Sequence, residues 1–222
     1  MHSDAKRQLT FLLAGPERRL LRRIAAALPA RVTSDSLTAL GVAGAAAAGV
    51  AYALSASQAW WLWVASIAIV INWFGDSLDG TLARVRRHER PRYGYYLDHI
   101  VDAVSTAAIG VGIGLSGWVD LEVALLLVVA YLSLSINVYL ESAVFGVFRI
   151  AYGRLGPTEV RIILILANAA LVLAGGSASR ETVALLTNLG ATLLAVAMLG
   201  ILMARFAANL NRLDRMEPLP RT

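Results

Sequence analysis

Long apolar runs broken by short polar joints dominate this chain. Runs of spanning length fall at Ser36–Leu54, Trp60–Asp79, Gly94–Leu115, Leu121–Phe145, Val160–Ala174 and Thr182–Phe206. A helix needs about 20 mostly apolar residues to cross a bilayer core. It also satisfies its own backbone hydrogen bonds there, which an open strand cannot do. The pattern therefore predicts an all-α integral membrane protein with six transmembrane helices, the fifth being the shortest. Ahead of them, Pro16–Leu28 reads PERRLLRRIAAAL. Leu20, Leu21, Ile24, Ala27 and Leu28 share one helical face, and Arg18, Arg19, Arg22 and Arg23 occupy much of the rest. That division predicts an amphipathic helix lying in the membrane interface; the alternative is a charged tail that only fixes orientation. Three parts result: a cytoplasmic N-terminal segment over 1–35, a six-helix catalytic domain over 36–208 and a cytoplasmic tail over 209–222. The first span is rich in small residues (Gly41, Ala43, Gly44 and on to Gly49), which predicts close helix packing.

Composition sharpens this reading. Of 222 residues, 58% are hydrophobic and 16% charged, against about 25% charged in soluble domains. There is no cysteine, so disulfides and thiolate metal sites are excluded. The net charge of +5 would suit nucleic acid, but its placement argues otherwise. Nineteen of the twenty lysines and arginines fall in the N-terminal segment, after spans two and four, or at the C-terminal end, and only Arg180 lies on the other side. The positive-inside rule then places both termini and the basic loops in the cytoplasm. Trp60, Trp61, Trp63 and Trp118 fall near the opposite interface, where aromatic belts sit. The basic excess is thus a signal of topology and of contact with anionic membrane lipids, and no nucleic acid is expected.

Charged residues inside spans cost about 2.5–3.5 kcal/mol each on insertion scales and are functional candidates by default. Asp76, Asp79, Asp98, Asp102 and Glu141 qualify. With a rise of 1.5 Å per residue, Asp76 and Asp79 lie about 24–29 Å along the inward-running second span. Asp98 and Asp102 lie about 6 and 12 Å into the outward-running third. All four reach a similar depth near the cytoplasmic side. Asp76 and Asp79 are spaced i, i+3, and Gly94, Asp98 and Asp102 are spaced i, i+4, so each set shares a helix face. The short basic loop between the two spans predicts that they are antiparallel neighbours. Four facing carboxylates need cations, and oxygen-only donors suit Mg²⁺ or Mn²⁺. Ion pairing with Arg84, Arg86 and Arg87 is the structural alternative. Gly80 and Ala83 keep the helix surface bare for a nucleotide, and Arg84 supplies a planar fork for phosphate.

Residues 76–102 read DSLDGTLARVRRHERPRYGYYLDHIVD. This is similar to the CDP-alcohol phosphotransferase signature, D-x2-D-G-x2-A-R, a spacer, then G-x3-D-x3-D. Asp76, Asp79, Gly80, Ala83, Arg84, Gly94, Asp98 and Asp102 fill every signature position, with a spacer of nine residues, slightly longer than the commonest form. Thr33–Thr38 resembles the entry to the family's first helix, with Asp35 where Asn is usual. The resemblance implies transfer of a phospho-substituted group from a CDP-alcohol donor to an alcohol acceptor, with release of CMP. It implies one or two divalent ions, Mg²⁺ or Mn²⁺, on Asp76, Asp79 and Asp98, with Asp102 bridging or acting as general base. It implies a CDP site at Asp79, Gly80, Ala83, Arg84 and Gly94, and a homodimer.

The acceptor site is read from a polar stretch at the inner end of span four, with Asn137 and Glu141, and from Arg149, Arg154 and Arg161 beyond it. Arginines suit a phosphate or polar head. The alternatives are that these arginines only anchor topology and that Glu141 pairs with one of them. The leading expectation is transfer of a phosphatidyl group from CDP-diacylglycerol to a small hydroxylated acceptor. The runner-up is a cholinephosphotransferase- or ethanolaminephosphotransferase-type reaction from a CDP-linked polar alcohol to diacylglycerol, which His99 beside Asp98 favours. A divalent-cation transporter is the reading from another class; such sites lie near the midplane of inverted repeats, whereas these acids lie toward one side and no repeat is visible.

Overall fold

The computed structural model describes residues 13–145, 156–173 and 179–218. Among them the chain is all helical: α1 (Ala14–Ala27), α2 (Ser34–Leu54), α3 (Trp61–Arg86), α4 (Pro91–Leu115), α5 (Leu121–Phe145), α6 (Pro157–Leu173) and α7 (Arg180–Met216). Five of these, α2, α3, α4, α5 and α7, are long and apolar enough to cross a membrane. α6 has 17 residues, close to the lower limit for a span.

The apolar runs set the helices, and local chemistry sets their ends. Thr33 and Ser36 form a reciprocal capping box at the start of α2. α3 runs about two turns past the apolar stretch, because LDGTLARVR lacks any breaker strong enough to stop it. It closes with Arg87 in the left-handed region (φ 57°, ψ 36°) and the His88 N–H on the Ala83 carbonyl at 2.9 Å, a helix stop that glycine usually makes. Pro91 then opens α4, where its missing N–H costs nothing. The nine-residue spacer is therefore a helix stop and a helix start with almost nothing between.

α2 is the centre of the arrangement. It packs against both α3 and α4, whereas α3 and α4 make at most marginal backbone contact with each other. The expectation that the two acidic helices are direct neighbours is corrected to that extent: their main common contact is α2. Its glycines explain why. A Cβ on Gly44 would stand 2.6 Å from the Asn72 nitrogen of α3, and one on Gly49 would stand 2.5 Å from the Ala108 carbonyl oxygen of α4. Gly75 and Gly112 answer from the facing helices, each with the backbone of α2 against it. Backbones this close leave no room for side chains. On the outer sides, α5 packs on α4, α7 on α5 and α6 on α3.

α1 does not stand apart. Leu21 and Ala25 are buried, and with Ile24 and Leu28 they pack onto Leu37, Trp73, Phe74, Leu78 and Leu82. The inward face is rotated slightly from the expected one, since Leu20 is exposed and Ala25 is not. Arg86 closes the end of α1. Its guanidinium donates to the carbonyls of Leu28 (3.0 Å), Pro29 (2.9 Å) and Val32, satisfying acceptors that a helix end leaves open. At the other end, Glu17 accepts from Trp73 Nε1 (2.8 Å) and from Thr158 Oγ1 (2.7 Å), and Glu159 accepts from the Leu13 and Gly156 N–H groups at 2.9 Å each. The first helix is pinned to α3 and α6.

Candidate active site

The four motif acids come from two helices that pack on a common third, and they share one electrostatic neighbourhood. Asp76 and Asp98 both act through space on Asp79, and all three act on Asp102. Each carboxylate is half-buried, where like charges repel far more than in water. The protein meets part of that charge itself. Arg161 of α6 reaches across to α3 and donates from Nη2 to Asp76 Oδ2 at 2.8 Å and from Nε to Asn72 Oδ1 at 3.0 Å. Asn72 is buried and donates in turn to the Gly41 carbonyl at 2.9 Å. Arg161, predicted for the acceptor side, thus stands on a motif acid.

Asp79 is oriented by α2. Thr38, buried, donates its hydroxyl to Asp79 Oδ2 at 2.6 Å, in the range of a charge-assisted bond. Ser34 one turn earlier donates to the Asp79 backbone carbonyl at 2.9 Å. The other carboxylate oxygen accepts from the Gly80 N–H. Arg84 lies over Gly80: a Cβ there would stand 3.3 Å from its Nη1, and its Nη2 donates to Thr81 Oγ1 at 3.1 Å. Gly94, by contrast, faces open space. Asp98 Oδ2 lies 3.5 Å from His99 Nδ1, and the His99 ring sits between Tyr95 and Tyr139, 4.1 Å from each centroid.

Two arginines near the end of α3 and in the loop after it have partners away from the motif acids. Arg86 is engaged on the α1–α2 connection, and Arg90 grips both carboxylate oxygens of Asp35 at 2.7 and 2.9 Å. Among the described residues, no three His, Asp or Glu side chains converge closely enough to hold a metal ion. The donor set still fits one. Asp76 and Asp79, like Asp98 and Asp102, sit one turn apart on one face, about 5–6 Å between Cβ atoms. Two carboxylates at that spacing can turn onto a shared hard cation, whose oxygen bonds are about 2.0–2.1 Å for Mg²⁺.

The sequence profile of the CDP-alcohol phosphatidyltransferase family matches residues 31–201, which contain all four acids and Thr38, Asn72 and Arg161. The chain belongs to that family. A phosphatidylinositol phosphate synthase from Cutibacterium acnes (strain DSM 16379 / KPA171202) is 38% identical over 91 residues, 40% of this chain and 41% of that protein. The match covers less than half the length of that curated relative.

In this member of the family, the remaining predicted residues fall into two groups. Arg149 and Arg154 lie outside the described residues. Asn137 and Glu141 face α7: Glu141 is buried and accepts from Arg205 Nη2 (2.5 Å) and Nε (3.1 Å), from Asn209 Nδ2 (2.7 Å) and from Asn137 Nδ2 (2.8 Å). The ion pair expected for Glu141 exists among the described residues with Arg205 of α7, a partner that the sequence reading did not name. Thr38, Ser34 and Asn72 received no role from sequence reasoning. The signal for Thr38 was present in the resemblance of Thr33–Thr38 to the family's helix entry; Asn72, a buried amide in a span, carried only its own insertion cost as a signal.

Proposed function

We propose that this protein is a CDP-alcohol phosphotransferase of phospholipid synthesis that transfers the phosphatidyl group of CDP-diacylglycerol to a small hydroxylated acceptor. The observation that carries this reading is the pairing of an intact acidic signature with family membership over residues 31–201. The name of the relative, a phosphatidylinositol phosphate synthase, favours this donor over a CDP-linked polar alcohol. Asp76, Asp79, Asp98 and Asp102 would hold one or two Mg²⁺ or Mn²⁺ ions, which neutralise pyrophosphate charge when bound. Gly80, Ala83 and Gly94 leave the helix surface bare for the nucleotide, and Arg84 binds its phosphates. Arg161 adds a positive charge beside Asp76.

In the transfer step the acceptor oxygen attacks the phosphorus that carries diacylglycerol. The new P–O bond forms as the P–O bond to CMP breaks, and the acceptor's proton passes to the Asp102 carboxylate. CMP leaves with the electron pair of the broken bond. Positioning and charge stabilisation carry most of such catalysis, which suits a site built from fixed helix ends. α6 serves as a sixth span and α1 lies in the interface with its arginines on anionic lipid. Both termini and the acids face the cytoplasm, where CDP-linked donors and CMP exchange, and two copies form a homodimer. The test is incubation of purified protein with radiolabelled CDP-diacylglycerol and Mg²⁺ plus small alcohols, scoring CMP release, with CDP-choline and diacylglycerol as the rival pair. Release only with the rival pair overturns the donor assignment; release with neither overturns the reading.

A further inference from the structure

The motif acids belong to α3 and α4, but the guanidinium that meets Asp76 belongs to α6. Arg161 lies at the start of the second turn of α6, and its charge reaches Asp102 and Tyr131 as well as Asp76. The apolar packing of α6 begins beyond it: Leu164, Ile165, Leu171 and Val172 lie on a core formed by α2 and α3. Ahead of it Val160 is exposed, and the residues turned inward are Thr158 and the buried Glu159. The turn that carries Arg161 is therefore held by polar contacts. Those contacts come from α1.

An acid in the first turn of a helix ordinarily serves its own N-terminus. Glu17 of α1 instead accepts from two other helices through one oxygen, from Trp73 Nε1 of α3 at 2.8 Å and from Thr158 Oγ1 of α6 at 2.7 Å. Trp73 stands three residues before Asp76, and Thr158 stands three residues before Arg161. Glu17 thus bonds each helix about one turn from a member of the Asp76–Arg161 pair. Glu159 repeats the connection, since its carboxylate accepts from the Leu13 N–H at the entry to α1 and from the Gly156 N–H, at 2.9 Å each.

We propose that Glu17 is a positioning residue for the transfer reaction: it ties α1, α3 and α6 together so that Arg161 stays on Asp76. Its effect on turnover rests on the phosphotransferase reading above. The pair leaves little slack. Arg161 reaches Asp76 at 2.8 Å and Asn72 at 3.0 Å through two different nitrogens, and hydrogen bonds weaken steeply with misalignment. A misplacement of about 1 Å at a reacting site can cost about 100-fold in rate. Both donors to Glu17 are neutral, so the amide oxygen of a glutamine, with its two lone pairs, can accept the same two bonds. The role needs an acceptor and not a charge.

Four variants of the full-length protein test this: Glu17→Ala, Glu17→Gln, Thr158→Val and Arg161→Lys, the last keeping the charge but not the two-nitrogen grip. CMP release from CDP-diacylglycerol is measured for each, and for Glu17→Ala and Thr158→Val combined with Arg161→Lys, with amide exchange of α6 followed alongside. Glu17→Ala and Thr158→Val should each lower kcat/KM by about tenfold or more, the size of one lost hydrogen bond to a charged group. Glu17→Gln should stay near wild type, and neither loss should recur once Arg161 is lysine. Amides in the first two turns of α6 should exchange faster in Glu17→Ala and Thr158→Val, with those of α2 unchanged. Losses that simply add to that of Arg161→Lys, as independent sites do, overturn the positioning role. Equal losses in Glu17→Gln and Glu17→Ala also overturn it, since the charge would then be what matters. If Glu17→Ala fails to fold, Thr158→Val decides, because it keeps the side-chain volume and the Glu17–Trp73 bond; full activity there overturns the role. Wild-type protein that releases no CMP overturns the phosphotransferase reading instead, and unchanged exchange in α6 then overturns the hold of Glu17 on Arg161 by itself.

Discussion

Thr38 offers the sharpest single-residue perturbation of the motif, because it touches Asp79 and belongs to a different helix. Thr38→Val keeps the shape and the β-branch but removes the hydroxyl that donates to Asp79 Oδ2 at 2.6 Å. A hydrogen bond to a charged group contributes about 1.5–3 kcal/mol. At ~1.4 kcal/mol per tenfold change, losing it from the competent orientation of Asp79 lowers kcat/KM by about 10- to 100-fold. The fold should tolerate the change. Ser34 still holds the Asp79 backbone, and the glycine contacts of α2 with α3 lie along Gly41 and Gly44. The assay is CMP release from CDP-diacylglycerol, with thermal unfolding in detergent alongside. Thr38→Ser retains the donor and should recover most of the activity. Full activity in Thr38→Val, or equal losses in Val and Ser variants, would refute the idea that the hydroxyl orients the acid.

Three further outcomes follow from the same site. Turnover should vanish in excess chelator and return with Mg²⁺ or Mn²⁺, and calorimetry should find no Mg²⁺ binding to Asp76→Ala or Asp98→Ala; undiminished turnover in chelator would remove the metal role. Because the chain has no native cysteine, Arg87→Cys should react with an impermeant thiol reagent only from the cytoplasmic side and Ser57→Cys only from the other, and the reverse pattern would invert the topology. Asp102→Asn should lose turnover by at least about 100-fold while CDP still raises its unfolding temperature in the presence of Mg²⁺; loss of metal binding instead would make Asp102 mainly a ligand.

The long helices were legible from hydrophobic runs, and two ends agree to the residue, at Leu54 and Leu115. Hydropathy fell short where helix continues without grease. α3 carries on to Arg86 and α7 to Met216, about seven and ten residues past their apolar runs, because NLNRLDRM and GTLARVR are adequate helix formers outside lipid. The motif acids and the closeness of the two pairs were legible because spacing and insertion cost are local properties. Their partners were not. Arg161 is 85 residues from Asp76, and Arg205 is 64 from Glu141. No periodicity tells which cation crosses the bundle to which acid. The place of α2 was equally hidden, since a small-residue stripe announces close packing without naming the helix that approaches.

That stripe shapes the site as well as the fold. The glycines of α2 act in two directions at different depths. Gly41 and Gly44 admit α3 at Asn72 and Gly75, immediately beside Asp76. Gly49 admits α4 at Ala108 and Gly112, about 9–15 Å along the helix from Asp102. These glycine contacts therefore fasten α3 to α2 at the level of its acids, and α4 to α2 well beyond its own. α2 packs on both acidic helices, and Thr38 carries that contact to Asp79 itself. Neighbouring carboxylates at about 4 Å repel by about 4 kcal/mol even at an effective dielectric near 20, so their relative placement has to be held by something other than their own interaction. The small residues of α2, which by themselves look like ordinary membrane packing, supply that support from one helix to both acidic helices.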